Sequence, residues 1–434
     1  MPDLEKSLTV ESIEGHSSPT EKSPRSVEDV DRDGYEFAEG GFQGWLTVFG
    51  AFLALFCGFG QLSSFGTFQS WYAEHQLRGL PASTISWIGT LQLFLFFLSG
   101  GFLGRLFDAY GPRIIMIAGT VALVISVMLT SICTRYYEYV LAQGVLFGLG
   151  VGMLFYPSLS AVSTHFTKHR ATAIGIATTG SGVGGVVYPI MLHQLFLRIG
   201  FAWAVRISGF VSLALCLASV LFVTSRLPTG GDSGPWFDTA VFRDLPYILV
   251  LVSSVLISFG LFIPNFYIVN YAIEHSVAPG TAFYVLSVMN AGSILGRTVP
   301  SYLSDVFGRY NLIIPCTFFS GLLPLVFWVF ATNLTTIMTF AAFYGFFSGA
   351  FNSVIIPCIA QISRMGQHGR RVGMLYSVIS VPALCGGPAA GALLKLQHGS
   401  YTGMIILSGT TIVVGSFFML WARLVIDPHI RARV

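Results

Sequence analysis

The arginine at position 297 is the residue whose location most directly implies chemistry, because it lies inside an otherwise apolar stretch. The next charged residue along the chain is Asp305, eight positions later, which is about 12 Å along an α-helix. A charge this deep in an apolar helix is expected to face a water-filled cavity or an anion. Its planar guanidinium matches the geometry of a carboxylate. Asn290 and Ser293 precede Arg297 at helical spacing, so the three side chains are predicted to share one face.

The central parts of the predicted apolar segments contain no carboxylate that could pair with Arg297. Every Asp and Glu lies in the amino-terminal tail, in a loop or near the carboxyl end. An anionic substrate is therefore the predicted partner of Arg297. The structural alternative is an arginine that bonds only to backbone carbonyls and water. Three further polar side chains are weaker candidates for the same binding site, and each could equally form a hydrogen bond between helices: Asn265, Asn352 and Tyr376.

The composition of the chain is that of a membrane protein. Of its 434 residues, 53% are hydrophobic and 10% are charged, whereas a soluble domain has about 25% charged residues. A helix that crosses a bilayer needs about 20 apolar residues. The sequence predicts an all-α membrane protein with twelve such helices. Their predicted ranges are 45–71, 85–107, 113–132, 137–163, 171–192, 202–223, 246–270, 281–303, 311–331, 336–362, 371–394 and 400–424.

Basic residues are concentrated in alternate loops, which predicts the orientation of the chain. Because Lys and Arg are enriched on the cytoplasmic side of membrane proteins, both termini are predicted to be cytoplasmic, with the plasma membrane as the expected location. The loops predicted to be on the opposite side contain Arg78, Arg135, Arg198 and Lys395. The predicted cytoplasmic loops and carboxyl end contain Arg105, Arg113, Lys168, Arg170, Arg226, Arg243, Arg309, Arg364, Arg370, Arg371, Arg423, Arg431 and Arg433.

The loops and the charge pattern divide the chain into five regions. Residues 1–44 contain eleven of the twenty acidic residues and no apolar run, so they are predicted to be a disordered cytoplasmic tail. The longest connection, residues 224–245, is predicted to be a cytoplasmic linker between two bundles of six helices. The bundles are predicted over residues 45–223 and 246–424, and residues 425–434 are predicted to be a second cytoplasmic tail.

The two halves contain related motifs. Residues 104–113 read GRLFDAYGPR and residues 301–310 read SYLSDVFGRY, and their aspartates, Asp108 and Asp305, are 197 positions apart. Parallel repeats of six helices are the layout of a major facilitator transporter, and the first motif resembles the signature loop of the major facilitator superfamily. In that superfamily the loop acts as a latch on the cytoplasmic side. The resemblance implies a gating role for Gly104, Asp108, Gly111, Arg113 and Asp305.

Two further stretches resemble the monocarboxylate porter family within that superfamily. Residues 39–52 (EGGFQGWLTVFGAF) and 165–185 (HFTKHRATAIGIATTGSGVGG) are similar to the family's patterns at the entrances to the first and fifth helices, with a spacing like that of the fungal branch. The resemblance implies that Arg297 binds substrate. Proton-coupled members usually carry an Asp and a Lys where this chain has Ser293 and Ser63, so the usual proton carriers are missing at both positions.

The predicted function is transport by alternating access. The chain is expected to be a secondary active or facilitative transporter of the monocarboxylate porter type, with a small organic acid or an amphipathic metabolite as cargo. The alternatives are an efflux pump for a fungal secondary metabolite and a nutrient sensor that does not transport. Because the sequence contains no nucleophile–base set, phosphate-binding loop or metal-ligand spacing, enzymatic activity, a cofactor and a metal site are not expected. The expected partners are an anionic or amphipathic small molecule, the lipid bilayer and a proton or another coupling ion, but not nucleic acid.

Overall fold

The computed structural model describes residues 39–226, 243–363 and 368–429, and nearly all of these residues are helical. A backbone in lipid must satisfy its hydrogen bonds within each segment, which is why the long apolar runs form helices. The structure also contains a π-helical turn, Val140–Leu146, and a 3₁₀ turn, Trp328–Phe330. The α-helices are α1 (Gly41–Ser63), α2 (Phe65–Glu74), α3 (Ala82–Leu98), α4 (Gly100–Tyr110), α5 (Pro112–Thr130), α6 (Tyr136–Tyr139), α7 (Phe147–His165), α8 (Arg170–Ile199), α9 (Phe201–Phe222), α10 (Leu245–Glu274), α11 (Pro279–Phe307), α12 (Arg309–Val326), α13 (Leu334–Gln361), α14 (His368–Leu396) and α15 (Thr402–Ile426).

The predicted membrane-spanning helices are present in the structure. Within the described ranges, ten helical segments are long and apolar enough to cross a bilayer, and the bent pair of α3 and α4, with an angle of 41°, is an eleventh candidate. Helix α11 contains Arg297 and is not among these ten segments, but its 29 residues are long enough to cross a bilayer. With α11 included, the helices account for the twelve predicted segments.

Two of the predicted segments are broken rather than continuous. The segment predicted over residues 45–71 is divided at Ser64, whose hydroxyl donates to the carbonyl of Gly60 at 2.8 Å. Helices α3 and α4 meet at Ser99, whose hydroxyl donates to the carbonyl of Phe96 at 2.8 Å. Serine hydroxyls that bond back to the preceding turn compete with the backbone ladder and bend helices. Hydropathy alone does not reveal such breaks.

Close packing within each half depends on glycines at positions where a side chain would not fit. In the first half, a Cβ on Gly60 would lie 2.8 Å from the Cα of Gly184, where α1 crosses α8. In the second half, a Cβ on Gly349 would lie 2.8 Å from the carbonyl oxygen of Ser293, where α13 crosses α11. Small residues of this kind let membrane helices approach each other closely.

The predicted region boundaries differ from the helix ends by a few residues. Helix α1 begins at Gly41, inside the predicted amino-terminal tail, and α15 ends at Ile426, inside the predicted carboxyl-terminal tail. The division into five regions stays a prediction, because several of the regions lie partly outside the described residues. Those regions are 1–44, 224–245 and 425–434.

Candidate functional site

Arg297 lies where α11 crosses α8, near the middle of both helices. Its Nη1 donates to the carbonyl of Thr178 at 2.7 Å and also contacts the hydroxyl of Ser181. Its Nε is buried and has no hydrogen-bond partner. None of the described carboxylates pairs with Arg297. The guanidinium is therefore held from one side and retains donors that a bound anion could satisfy.

Asn290 and Ser293 also lie along the seam where α11 packs against α8. Both are farther from Asp305 along α11 than Arg297 is. A Cβ on Gly185 would lie 3.4 Å from Asn290 Nδ2 and 3.4 Å from the hydroxyl oxygen of Ser63. The Ser293 side chain is buried, and its hydroxyl donates to the carbonyl of Asn290 at 2.8 Å. The three residues predicted to share a face are thus brought together along α8.

A small cleft continues this seam beyond Asn290. It lies between the first half, through α1, α2 and α8, and the second half, through α11. The polar groups along the cleft and the seam lead towards Arg297 from the end of the helices opposite Asp305. The residues that line the cleft are Ser63, Gly66, Thr67, Gly185, Pro189, Leu286 and Ser287.

Tyr376, on α14, lies at a depth similar to that of Arg297. It is six residues, or about 9 Å along the helix, from Arg370 at the end of the molecule that contains Asp305. Arg297 is about 12 Å along α11 from Asp305. Asn265 is used differently, since its Nδ2 donates to the carbonyl of Leu261 at 3.1 Å within α10. Pro264, next to Asn265, lies inside α10 and interrupts its ladder of backbone hydrogen bonds. The carbonyl that Pro264 leaves without a helical partner, that of Gly260, instead accepts a hydrogen bond from the Ser408 hydroxyl at 2.8 Å.

Asn352 lies on α13, which packs against α11, and its side chain is half-buried. The neighbouring hydroxyl of Ser353 accepts a hydrogen bond from that of Ser301 at 2.9 Å. Gly349, one helical turn before Asn352, packs against Ser293. Asn352 is thus on the helix that supports α11. Among the described residues, no hydrogen bond joins its side chain to Arg297.

The predicted gating residues lie together at one end of the molecule. We call this end the basic face and define it by residues 104–113, 165–172, 301–310 and 368–371. There the carboxylate of Asp108 accepts from the backbone N–H of Arg370 at 3.1 Å. The Ser377 hydroxyl accepts from the backbone N–H of Gly101 at 2.8 Å and donates to the carbonyl of Leu98 at 2.8 Å. These bonds fasten α3 and α4 of the first half to α14 of the second.

Asp305 makes the equivalent connection from the second half of the chain to α8 of the first half. Its carboxylate accepts from the backbone N–H groups of Ala171 at 3.1 Å and Thr172 at 2.7 Å, and from the Thr172 hydroxyl at 2.7 Å. It also pairs with Arg309, at 3.7 Å from Nε. Each aspartate of the repeated motif therefore caps the beginning of a helix in the other half, where a carboxylate stabilises both free amides and the helix dipole.

The glycines of the motif are needed for the turns that follow these aspartates. Gly111 and Gly308 end α4 and α11 with φ values of 74° and 102°, a region that side chains rarely adopt. Arg113 is exposed on the basic face. The fifth gating residue, Gly104, faces Gly369 of α14 so closely that a Cβ on Gly369 would lie 2.6 Å from the carbonyl oxygen of Gly104.

The comparison with protein families agrees with this architecture. A model of the Major Facilitator Superfamily matches residues 51–298 and 250–433. The chain belongs to this superfamily. It is 39% identical over 394 residues to MFS-type transporter 1 of Ophiocordyceps sp., which covers 90% of this chain and 88% of the relative. It is 37% identical over 391 residues to the aspyridones efflux protein apdF of Emericella nidulans, which covers 90% of this chain and 79% of the relative.

Among solved structures, the human organic anion transporter MFSD10 (TETRAN) is similar to this chain with a TM-score of 0.67 and 14% sequence identity. The similarity covers 87% of this chain and 98% of the human chain. At this identity the comparison supports the fold and not the cargo. The major facilitator fold that the sequence predicts is thereby confirmed, and the chain is a multi-pass membrane transporter.

Some residues that hold this major facilitator site together were not singled out from the sequence. Thr178 and Ser181 position Arg297, and their signal was their place in the glycine-rich run of the fifth predicted segment. Gly369 and Gly373 face Gly104 and Gly100 across the basic face. The sequence signal was the spacing within each helix: Gly100 and Gly104 are four residues apart, as are Gly369 and Gly373. This spacing is typical of close helix contacts.

Replacing Asp305 by alanine should loosen the first turn of α8. Loss of a helix-capping carboxylate costs about 1 kcal/mol, so hydrogen exchange at the amides of Ala171 and Thr172 should become roughly fivefold faster. Exchange measured by mass spectrometry would show this change. Asp427→Ala is the matched control, because Asp427 accepts from the backbone N–H of His429 at 2.8 Å and does not contact α8. Unchanged exchange in Asp305→Ala would contradict the capping role.

Proposed function

We propose that this chain exports an amphipathic organic anion by alternating access, with Arg297 as the anion-binding residue. The observation that carries the proposal is the buried Nε of Arg297, which has no partner, on a guanidinium that no described carboxylate neutralises. A buried donor without an acceptor is costly, and a charge near the middle of a bilayer is costly as well. A bound carboxylate would lower both costs.

Export is favoured over import by the names of the relatives. The protein of Emericella nidulans is named as an efflux protein for aspyridones, and its similarity extends over most of both chains. The basic face then faces the cytoplasm, in keeping with the distribution of Lys and Arg, and the plasma membrane is the proposed location. Cargo would enter from the basic face and leave through the cleft at the other end.

Membership of the monocarboxylate porter family is part of the same proposal. The two stretches that resemble this family are in contact, because the carboxylate of Glu39 accepts from the backbone N–H groups of Thr167 and Lys168. The ring of Trp45 also lies 5.2 Å from that of Phe166, edge to face. Two family-like segments that support each other in space favour a shared origin with porters of organic acids.

The proposal does not include a proton carrier at the positions that proton-coupled porters use. Ser293 is bonded to its own helix, and Ser63 faces Gly185 at the cleft. Neither hydroxyl ionises near neutral pH, so a proton or another ion would have to be coupled elsewhere. An exchange of anions or a facilitated exit is equally compatible with these two serines.

Host cells that produce the chain should export fluorescein, an amphipathic anion that accumulates in cells loaded with its diacetate ester. The initial efflux rate should exceed that of cells producing Arg297→Gln, because only the arginine offers a charge to the carboxylate. Rhodamine 6G, a cation with a similar ring system, is the matched control probe. Equal export of both dyes, with no effect of Arg297→Gln, would contradict the anion site.

A further inference from the structure

Aromatic rings from both halves meet where α3 and α7 face α10 and α14, and we call five of them the central ring cluster: Phe97, Phe155, Tyr156, Phe262 and Tyr376. Tyr376 stacks on Phe97 with the ring centroids 5.8 Å apart and an angle of 13°. It packs edge to face against Phe155 at 5.7 Å and Tyr156 at 5.5 Å. Phe262 also packs against Phe97, with the ring centroids 5.9 Å apart.

The cluster differs from an ordinary core because its rings belong to parts that must separate. Phe97, Phe155 and Tyr156 lie on α3 and α7 of the first half, whereas Phe262 and Tyr376 lie on α10 and α14 of the second. Alternating access moves one half against the other around the cargo. Ring contacts between the halves must therefore break and be replaced in each cycle, and an aromatic guest could replace them without loss.

The cluster also lies at the depth of the anion site. Tyr376 lies about 9 Å along α14 from Arg370, and Arg297 lies about 12 Å along α11 from Asp305, so the two are at similar distances from the basic face. The cluster extends away from the basic face through Phe266, one turn after Phe262 on the same face of α10, with the two centroids 6.5 Å apart. Phe266 is 47% exposed. If the carboxylate of a cargo molecule binds Arg297, the remainder of that molecule can therefore contact the aromatic rings of the cluster.

We infer that the central ring cluster is a recognition subsite for flat, conjugated ring systems, so that the cargo is an aromatic or similarly conjugated acid rather than a small aliphatic acid. The inference rests on the proposed function, because it takes the anionic group of the cargo to lie at Arg297. Ring–ring contacts add binding energy beyond the burial of apolar area. A saturated molecule of equal size and charge gains only the burial.

Two probes of equal size and charge separate these contributions: 2-naphthoate, which is flat, and decalin-2-carboxylate, which is its saturated counterpart. The full-length chain in lipid nanodiscs should bind 2-naphthoate about tenfold more tightly, as one or two ring contacts would give. Calorimetric titration measures both affinities. Tyr376→Leu should reduce the preference to about twofold or less, because it weakens binding of 2-naphthoate more than binding of decalin-2-carboxylate.

Control variants and a neutral probe make each outcome informative. Tyr376→Phe retains the ring and should retain the preference, and Phe319→Leu removes a ring that is 45% exposed on α12 and should have no effect. Equal binding of the two carboxylates by the unaltered chain would overturn the ring subsite while the anion site stands. Equal binding of 2-naphthoate and neutral 2-naphthamide would overturn the proposed anion site instead. Binding of neither carboxylate would overturn both.

Discussion

Arg297→Gln should lower the apparent affinity for an anionic cargo by roughly 30-fold or more. The glutamine side chain is polar and can still donate a hydrogen bond, but it is shorter than arginine and has neither the charge nor the fork of the guanidinium. Removing one partner from a buried, hydrogen-bonded charge pair costs about 2–5 kcal/mol, and about 1.4 kcal/mol corresponds to a factor of ten. The measurement is efflux of fluorescein at several internal concentrations.

Arg297→Lys tests the geometry separately from the charge. Lysine retains a cation but donates from a single point, so its apparent affinity should lie between those of the unaltered chain and Arg297→Gln. Arg206→Gln is the control for loss of an arginine within a membrane helix. Arg206 Nε donates to the Ser131 hydroxyl at 3.1 Å, and its guanidinium lies 5.2 Å from the centre of the Trp203 ring, so its replacement should leave the affinity for fluorescein unchanged.

A purely structural role for Arg297 would give a different result. Its bonds to Thr178 and Ser181 join α11 to α8, and their loss alone would lower the thermal stability of the purified chain. Efflux per folded molecule would then stay the same in Arg297→Gln. A stable Arg297→Gln protein with normal transport would likewise exclude Arg297 from the cargo site.

The sequence predicts the scaffold well because lipid imposes one simple rule on it. Each long apolar run becomes a helix, and the isolated charge of Arg297 stands out against that background. The partners of Arg297 could not be read from the sequence, because Thr178 and Ser181 lie more than a hundred residues away on another helix. Helical periodicity gives the face on which a residue lies, but it does not give the helix that packs against that face.

The repeated motif shows the same difference between local and long-range prediction. The sequence places Asp108 and Asp305 at equivalent positions of two repeats, and a glycine follows each at the turn. It does not show that each carboxylate binds the first turn of a helix in the other half. That reciprocal arrangement gives the basic face two related fastenings, on α14 and on α8, that must both open when the halves separate there.

The contact between α4 and α14 gives the second large expected effect. Gly373→Ala should prevent the basic face from closing, because the added Cβ would overlap the carbonyl oxygen of Gly100. A backbone carbonyl in a helix cannot move aside as a side chain can. Overpacking of this kind costs about 1–3 kcal/mol, which at about 2 kcal/mol shifts the equilibrium between closed and open forms by roughly 30-fold.

Spin labels on the basic face would measure this shift. Tyr110 on α4 and Phe307 on α11 are 61% and 58% exposed, so cysteines can carry labels there in a variant without the six native cysteines. Gly373→Ala should move the distance distribution to longer values and lower efflux by at least about tenfold. Gly387→Ala on the same helix is the matched control, because its Cβ would meet the nearest atom of Phe266 at 3.6 Å, an ordinary contact. If both variants gave the distances of the unaltered chain, close approach of Gly100 and Gly373 would not be a condition for closure. The hydrogen bonds of Asp108 and Asp305 would then have to stabilise the closed basic face by themselves.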